Sequence, residues 1–582
     1  DIWGDQRRRG IMKNLLNSPE AAVDDLITGL VSRNASLARV ANWPVVVRSV
    51  ASSSTVKVIS GGGSGHEPAH AGYVGDGMLD AAVCGPVFTS PSVDAILAAL
   101  RAVAPGDEDI IMVVKNYTGD RLNFGLAARQ ARAEGHRVRT VLVADDVALG
   151  EDVGAGRRGL AGTVLVHKVI GAKVRDGATM DQAADAAEEL LSGLGTMGVS
   201  LGPCNVPGAS DSSFDLGDAD VEWGLGIHGE PGVEQTPGQS ARDTAQRLVN
   251  TIVADRGLRD EDVLVMVNGL GGLSSLELEV LSGEVLSEVR ARGLRPVMGW
   301  TGNFLTSLDM PGVSLTVARV SPDMREHLEA PAAAPAWGVP SAIPREPALV
   351  HVETPDLFAS EAQAGEAGRF PREIHEAVLR AAEVLIDREE ELTRADRAVG
   401  DGDLGVNLSR GAKAVIDSSE KFETLNGPAA YFTALSALLR NHVGGTSGPL
   451  YAVLALGLAR GYSDVSAREP GAQLAALKRG FRIAVDDMCH LGGAEEGDST
   501  MMDALIPAAR VLNDEKHENS GAAELFRDAM SAAEKGTAST AEYAASKGRS
   551  SYVGERSIGT PDPGATAVLL WARAAFGPIV EG

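Results

Sequence analysis

The chain has 582 residues, 44% of them hydrophobic and 23% charged, an ordinary globular composition but too long for one core, so two or more domains are expected. A formal net charge of −26 argues against a nucleic-acid partner, whose phosphates need a basic face; a nucleotide, which needs only local compensation by metal and backbone N–H groups, stays open. Cys84, Cys204 and Cys489 lack zinc or redox-motif spacing, no apolar run nears the length of a membrane span, and no signal peptide is visible, so a cytoplasmic protein with buried free thiols and no membrane partner is expected.

In chain order, residues 1–11 are polar and Arg-rich and read as an upstream extension or expression scar ahead of Met12-Lys-Asn-Leu-Leu. Residues 12–328 alternate β-branched runs (Thr55–Ile59, Asp109–Val114, Val138–Val143, Val263–Val267, Pro296–Met298, Ser314–Val317) with Ala-rich helical patterns such as Ser92–Val103, Asn123–Glu134 and Met180–Gly193. This alternation predicts α/β layering around a largely parallel sheet. The pattern loosens between Val199 and Gly238, which suggests two α/β subdomains, about 12–195 and 196–328. Residues 329–368 form a Pro/Ala-rich linker: five prolines between Glu329 and Pro347 favour extended chain, with Trp337 available to dock it. Residues 369–582 predict an all-α domain of eight helices, Glu373–Thr393, Leu408–Ile416, Ala429–His442, Leu450–Arg460, Ala472–Met488, Thr500–Val511, Ala522–Glu534 and Ala565–Ala575.

The chemistry concentrates in glycine-rich loops. Asp396, Asp401 and Asp403 fall within eight residues, punctuated by Gly400 and Gly402, between two helical patterns. Three carboxylates this close repel unless a cation sits between them, which points to a Mg²⁺-nucleotide site; an N-cap role for Asp401 or Asp403 is the competing reading. In the α/β half, Thr55–Ile59 leads into Ser60-Gly-Gly-Gly-Ser-Gly-His66-Glu-Pro68, and Asp109–Val114 leads into Lys115-Asn-Tyr-Thr-Gly-Asp120. Ligands bind at the carboxyl ends of strands in open α/β sheets, where these loops converge. The first is neither a Walker motif nor a dinucleotide fingerprint. His66 suits proton transfer near neutral pH. A third loop, Gly224-Leu-Gly-Ile-His228-Gly-Glu-Pro-Gly232, leaves His228 with little side-chain cover, as a ligand site or as a plain surface loop. In the helical half, Gly444-Gly-Thr446-Ser447-Gly-Pro449, Gly497–Asp503 and Asp562-Pro563-Gly564 each precede a helix, whose N-terminus favours phosphate, and Gly548-Arg549 adds a cation.

Six strings, Gly61–Pro68, Lys115–Asp120, Gly226–Gly232, Gly400–Asp403, Gly444–Pro449 and Tyr552–Gly559, together resemble the signatures of the dihydroxyacetone (glycerone) kinase family in its single-chain ATP-dependent form. The resemblance covers nearly the whole chain from about Met12. It implies a ketose-binding α/β domain and an eight-helix antiparallel bundle or barrel that binds Mg²⁺ and ATP. It implies that His228 forms a hemiaminal with the ketone, that Asp120 is the catalytic base and His66 its helper, and that Gly63, Ser64, Gly65 and Lys115 bind substrate. Asp396, Asp401 and Asp403 would hold Mg²⁺. Leu404, Gly405, Val406, Asn407, Thr446, Ser447, Met501, Arg549, Asp562, Pro563 and Gly564 would contact the nucleotide; some relatives carry histidine in place of Leu404, where a backbone contact would survive. The resemblance also implies a homodimer with exchanged helical domains. The expected reaction is phosphorylation of dihydroxyacetone; erythrulose or glyceraldehyde is the nearest alternative substrate, and a non-catalytic ketone-binding regulator is the distant alternative. Trp300, Thr301, Asn303 and Asp309 are candidates for shaping the pocket.

Overall fold

The computed structural model describes residues 14–150, 154, 156–209, 213–353, 358, 371–463, 471–517 and 520–581, without the side chains of Arg549, Ser550, Tyr552 and Val553. The extension at 1–11 lies outside these residues. The chain divides into a unit ending at Leu349 and a second beginning at Val350.

The first unit holds two sheets. One has six strands, β1 (Leu37–Arg39), β2 (Val45–Arg48), β3 (Val56–Ser64), β4 (Ala81–Val87), β5 (Asp109–Lys115) and β6 (Val138–Val143), in the order β1-β2-β4-β3-β5-β6. β4, β3, β5 and β6 run parallel, and β2 and β1 extend that edge antiparallel. The centre of β5, Ile110 to Val114, is buried throughout, as expected of a parallel strand covered on both faces. The covering helices begin on clear signals: Ser92 accepts from the Ala95 N–H to cap α2 (Val93–Val103), and Thr179 with Gln182 forms a capping box on α5 (Met180–Ser192). α1 (Ala22–Ser32), α3 (Thr118–Ala133) and α4 (Gly162–Arg175) complete this half.

The second sheet contains β7 (Leu194–Ser200), β8 (Asp220–Trp223), β9 (Glu234–Pro237), β10 (Asp262–Gly269), β11 (Arg295–Gly302), β12 (Gly312–Arg319) and β13 (Ser341–Ala342), in the order β13-β11-β10-β12-β7-β8-β9. Only β10 and β11 pair parallel, so here the expected largely parallel sheet gives way to a mainly antiparallel one. The reason lies in the connection: residues 303–311 between β11 and β12 contain no helix, and a parallel return needs a longer crossover. Helices α6 (Ala241–Arg256), α7 (Ser275–Ala291) and α8 (Pro322–Glu329) belong to this half. α4 is buried on nearly every face, and its Val164, Val166 and Ile170 share one core with Ile111 and Val113 of the first sheet and Leu264 and Met266 of the second.

The start of the Pro/Ala-rich segment is fastened to this unit. Ala333 N donates to Asp76 O (2.9 Å) and Ala336 N to Gly72 O (2.9 Å). Trp337 packs on Trp300 with ring centroids 5.3 Å apart, and β13 pairs with β11.

The second unit is helical, with α9 (Arg372–Asp387), α10 (Glu389–Val399), α11 (Leu404–Asp417), the short α12 (Ser419–Phe422), α13 (Pro428–His442), α14 (Ser447–Tyr462), α15 (Ala472–Gly492), α16 (Met502–Leu512), α17 (Ala522–Ser539) and α18 (Pro563–Glu581). The single helix expected over Glu373–Thr393 is two. Arg388 leaves the helical region (φ −104°, ψ 15°), and Glu389, Glu390 and Glu391 place three negative charges on the new N-terminus, where the helix dipole favours them. By length and composition α18 could cross a membrane, against the expectation that no run is that long, yet it packs against α9, α16 and α17.

α14 and α15 cross where Gly461 faces Gly480. A Cβ on Gly461 would lie 2.6 Å from the Gly480 nitrogen and 2.5 Å from the Ala476 carbonyl oxygen. Gly461→Val should therefore destabilise the helical unit by about 1–3 kcal/mol, measured by urea unfolding, because neither contact can yield without moving backbone.

Candidate functional site

In the first unit the carboxyl ends of β3 and β5 meet the loop after β8 and the segment 303–311. The glycine string is dictated by crowding: Gly62 lies against the Lys115 Nζ, and a side chain there would also meet His70 Nε2 at 3.3 Å. Gly65 has φ +98° and turns the chain so that His66 leaves the sheet. The Ser64 hydroxyl donates to Gly85 O (2.8 Å), and Gly63 packs under the Thr89 backbone.

Segment 303–311 clamps the site. Asn268 Oδ1 accepts from Phe304 N (2.8 Å) and Leu305 N (2.9 Å), Thr306 Oγ1 donates to Glu67 O (2.9 Å), Leu308 N donates to Gly65 O (2.7 Å), and Ser307 Oγ donates to Ile227 O (2.8 Å). His66 Nδ1 donates to Thr306 O (2.9 Å). This bond fixes the tautomer and leaves His66 Nε2 as a buried lone pair with no partner among the described residues.

His228 sits in a ring of aromatic groups. Its ring centroid is 4.4 Å from Tyr117, 4.9 Å from His66 and 5.6 Å from Phe88, all edge to face. The backbone around it is held by one guanidinium. Arg158 donates to Gly224 O (2.5 Å) and pairs with Asp146 (2.7 Å) and Glu230 (3.6 Å), and Glu230 accepts from His228 N (2.8 Å). Burial, with the Lys115 and Arg158 cations nearby, pushes the His228 imidazole down to about 3, so it is neutral at working pH. The result is a neutral, half-buried imidazole set among aromatic rings.

Asp120 lies in the first turn of α3, buried, accepting from Ser90 Oγ and 3.6 Å from Lys115 Nζ. Lys115 is fully buried; burial lowers its pKa and Asp120 opposes that shift. The sequence therefore brings His66, Lys115, Asp120 and His228 together. It did not single out Ser90, Phe88, Tyr117, Arg158 or Thr306–Leu308; Tyr117 alone was within reach, lying inside the quoted Lys115–Asp120 string. The four pocket candidates fall elsewhere: Trp300 holds Gly338 O (3.1 Å), Thr301 bonds Ser282 (3.0 Å), Asp309 accepts from Asn205 (2.6 and 2.8 Å), and Asn303 packs against Gly269. Asn303 and Asp309 belong to the clamping segment 303–311 itself, but these contacts are structural ones.

In the helical unit the Asp396, Asp401 and Asp403 carboxylate oxygens lie within 4.8 Å of one another. Asp403 occupies the N-cap position of α11 without a side-chain capping bond, and Asp396 accepts from Leu404 N (3.1 Å). Such a set fits a hard divalent cation that keeps waters or phosphates as its other ligands. Thr446 stands at the N-cap of α14 and Met501 at that of α16, again with no side-chain capping, so the first-turn N–H groups beyond them are uncapped by these residues. Asp562 accepts from Ala565 N (2.7 Å); burial, then the nearby Asp503 and Asp396, push it up to about 7. A Cβ on Gly564 would touch Met501 at 3.4 Å, and one on Gly444 would meet the Asn407 side chain at 2.5 Å. The loops at 396–407, 444–447, 497–503 and 562–564 thus gather around the acidic cluster. The Arg549 side chain lies outside the described residues.

Family models match both units, the Dak1 domain over residues 28–336 and the DAK2 domain over 398–576. The chain belongs to the dihydroxyacetone kinase family. It is 39% identical over 586 residues to a putative 3,4-dihydroxy-2-butanone kinase of Solanum lycopersicum (97% of each chain) and 37% identical over 582 residues to the human triokinase/FMN cyclase (97% of this chain, 98% of that one). The crystal structure of the dihydroxyacetone kinase of C. freundii in complex with AMP-PNP and Mg²⁺ superposes with a TM-score of 0.65 at 32% identity, covering 98% of this chain and 100% of that one. The protein is a kinase with an α/β Dak1 domain and a helical Dak2 domain in one chain.

The neutral imidazoles carry a cost in acid. His66, His70, His167 and His228 all titrate below the ordinary histidine range, chiefly because they are buried. As pH falls through about 6.5, the unfolded chain takes up protons that the folded unit refuses, so stability drains. Glu67, Asp80, Asp145 and Asp146 have raised pKa values and act in the opposite sense. The clean readout is a difference: His228→Asn should lessen the stability lost between about pH 7 and pH 5.5 by about 1 kcal/mol, read from urea unfolding at both.

Proposed function

We propose that this kinase phosphorylates dihydroxyacetone from Mg²⁺-ATP, holding the ketone as a covalent hemiaminal on His228. The observation that carries the reading is a neutral His228 ring in an aromatic enclosure that also holds His66 and lies close to the buried Lys115 beside Asp120. The Nε2 lone pair adds to the carbonyl carbon, the π pair moves to oxygen, the oxygen takes a proton, and the ring loses its Nδ1 proton. One C–N bond and one O–H bond form, with no oxidant required. Such a bond orients a substrate too small to be held by packing and rejects glycerol, which has no carbonyl. His66 Nε2 accepts from a substrate hydroxyl, and Asp120 takes the proton of the hydroxyl that attacks phosphorus, with Lys115 beside it. Asp396, Asp401 and Asp403 would hold Mg²⁺, which neutralises phosphate charge, and the backbone of Leu404–Asn407, Thr446–Ser447 and Asp562–Gly564 would cradle the nucleotide. Direct transfer requires both sites to meet, and a homodimer in which one chain's helical unit serves its partner's ketose site is part of the proposal. A catalytically competent monomer in sedimentation would contradict that part.

The second reading changes only the substrate. The tomato relative is named for a four-carbon hydroxyketone, and a change of one methylene in a pocket is worth only about 1–3 kcal/mol of discrimination. Phosphotransfer to dihydroxyacetone, D- and L-erythrulose, glyceraldehyde and glycerol, compared as kcat/KM, should rank dihydroxyacetone first and glycerol far last. An erythrulose in first place would move the enzyme to four-carbon ketoses, and turnover of glycerol at a similar rate would defeat the covalent reading. His228→Ala should weaken ketose binding and leave nucleotide binding intact. Asp401→Asn or Asp403→Asn should do the reverse, losing Mg²⁺-dependent nucleotide binding by calorimetry while still binding ketose.

A further inference from the structure

Behind Lys115 lies a chain of buried polar groups that the mechanism above does not use. Lys115 Nζ is 2.9 Å from His70 Nε2, and His70 Nδ1 is 3.0 Å from His167 Nε2. All three side chains are buried, with His167 on the helix that lies between the two sheets. Three ionisable side chains in one core are expensive unless each polar atom returns something.

The protons can be assigned without ambiguity. An ammonium has only N–H bonds to offer, so His70 Nε2 must present its lone pair. His70 Nδ1 then carries the proton and donates to His167 Nε2, with Ser60 Oγ at 3.4 Å as a second acceptor, its own hydroxyl spent on Val113 O (2.8 Å). His167 in turn carries its proton on Nδ1, which has no partner among the described residues. The other tautomer of either ring would set N–H against N–H or lone pair against lone pair. Both rings stay neutral, since each is buried and faces the Lys115 charge.

We propose that His70, its tautomer locked by His167, is a positioning residue that aims the Lys115 ammonium at Asp120 and the bound ketose. The Asp120 Oδ2 contact of Lys115 is long at 3.6 Å, whereas the His70 contact is a full hydrogen bond, so His70 is the group that fixes where the ammonium sits. Gly62 completes the device, since any side chain there would occupy the space of the ammonium. This rests on the reading above, in which Asp120 and Lys115 serve the transferring hydroxyl.

The test compares His70→Leu, which keeps bulk and removes the acceptor, with His70→Gln, whose Oε1 replaces Nε2 as acceptor. Each is read as kcat, KM for ketose, KM for Mg²⁺-ATP, and Tm. His70→Leu should lower kcat on the order of 10- to 100-fold with KM for Mg²⁺-ATP unchanged, and His70→Gln should restore most of it. If His70→Leu fails to fold, His167→Leu against His167→Gln reads the same linkage, since losing the His167 acceptor frees the His70 tautomer. Equal loss of kcat in the Leu and Gln variants together with a lowered Tm would reduce His70 to a packing role and overturn the proposal, as would full activity of a folded His70→Leu. Asp120→Asn is the control: full turnover there would overturn the reading beneath the proposal as well, whereas an inactive Asp120→Asn with an active His70→Leu would fault the positioning role alone.

Discussion

A buried lysine and a buried aspartate, 3.6 Å apart, set the terms for everything around them. Removing both charges from solvent costs several kcal/mol per ion, and their attraction offsets it only when the remaining hydrogen-bonding capacity is met. Asp120 is met by Ser90, and Lys115 by His70. Burial, with the same cation, keeps the neighbouring imidazoles neutral, so each offers a lone pair beside the Lys115 charge. Such lone pairs suit the carbonyl and hydroxyl groups of the proposed substrate.

Rigidity comes from how the two sheets of the first unit are joined. The segment 303–311 bonds to the loop after β3 and to the loop bearing His228, while Arg158 grips the His228 loop at Gly224 and Glu230. The helix carrying His167 passes between the sheets and is buried nearly all round. The geometry around His66 and His228 therefore rests on sheet, helix and backbone hydrogen bonds rather than on a free loop, and positioning of this kind is what the proposed hemiaminal would use.

Much of this was legible in the sequence. β-Branched runs marked β3, β5 and β6, the loops after β3 and β5 pointed to His66, Lys115 and Asp120, and the flanking glycines pointed to His228. β4 escaped because Ala81-Ala-Val-Cys-Gly-Pro-Val87 has almost no β-branched content. The antiparallel course of the second sheet escaped because strand direction depends on what the connection contains. Ser90 acts through Asp120, Arg158 through Gly224 and Thr306 through Gly65, residues 30, 66 and 241 positions away, which no local pattern encodes. The break at Arg388 was hidden by apolar spacing that runs on across it, though three consecutive glutamates were its visible sign. In the helical half, the acidic cluster and the glycine-led helix starts were apparent from Asp and Gly placement, whereas Thr446, a fitting N-cap by sequence, makes no side-chain cap.

The central claim is that His228 bonds covalently to the ketone, and nuclear magnetic resonance of dihydroxyacetone carrying carbon-13 at its carbonyl position tests it most directly. In the saturated complex the account predicts a bound signal in the region of a tetrahedral carbon attached to oxygen and nitrogen, absent from the His228→Ala variant. A bound signal that stays in the ketone region, or a tetrahedral signal that survives in His228→Ala, would contradict it.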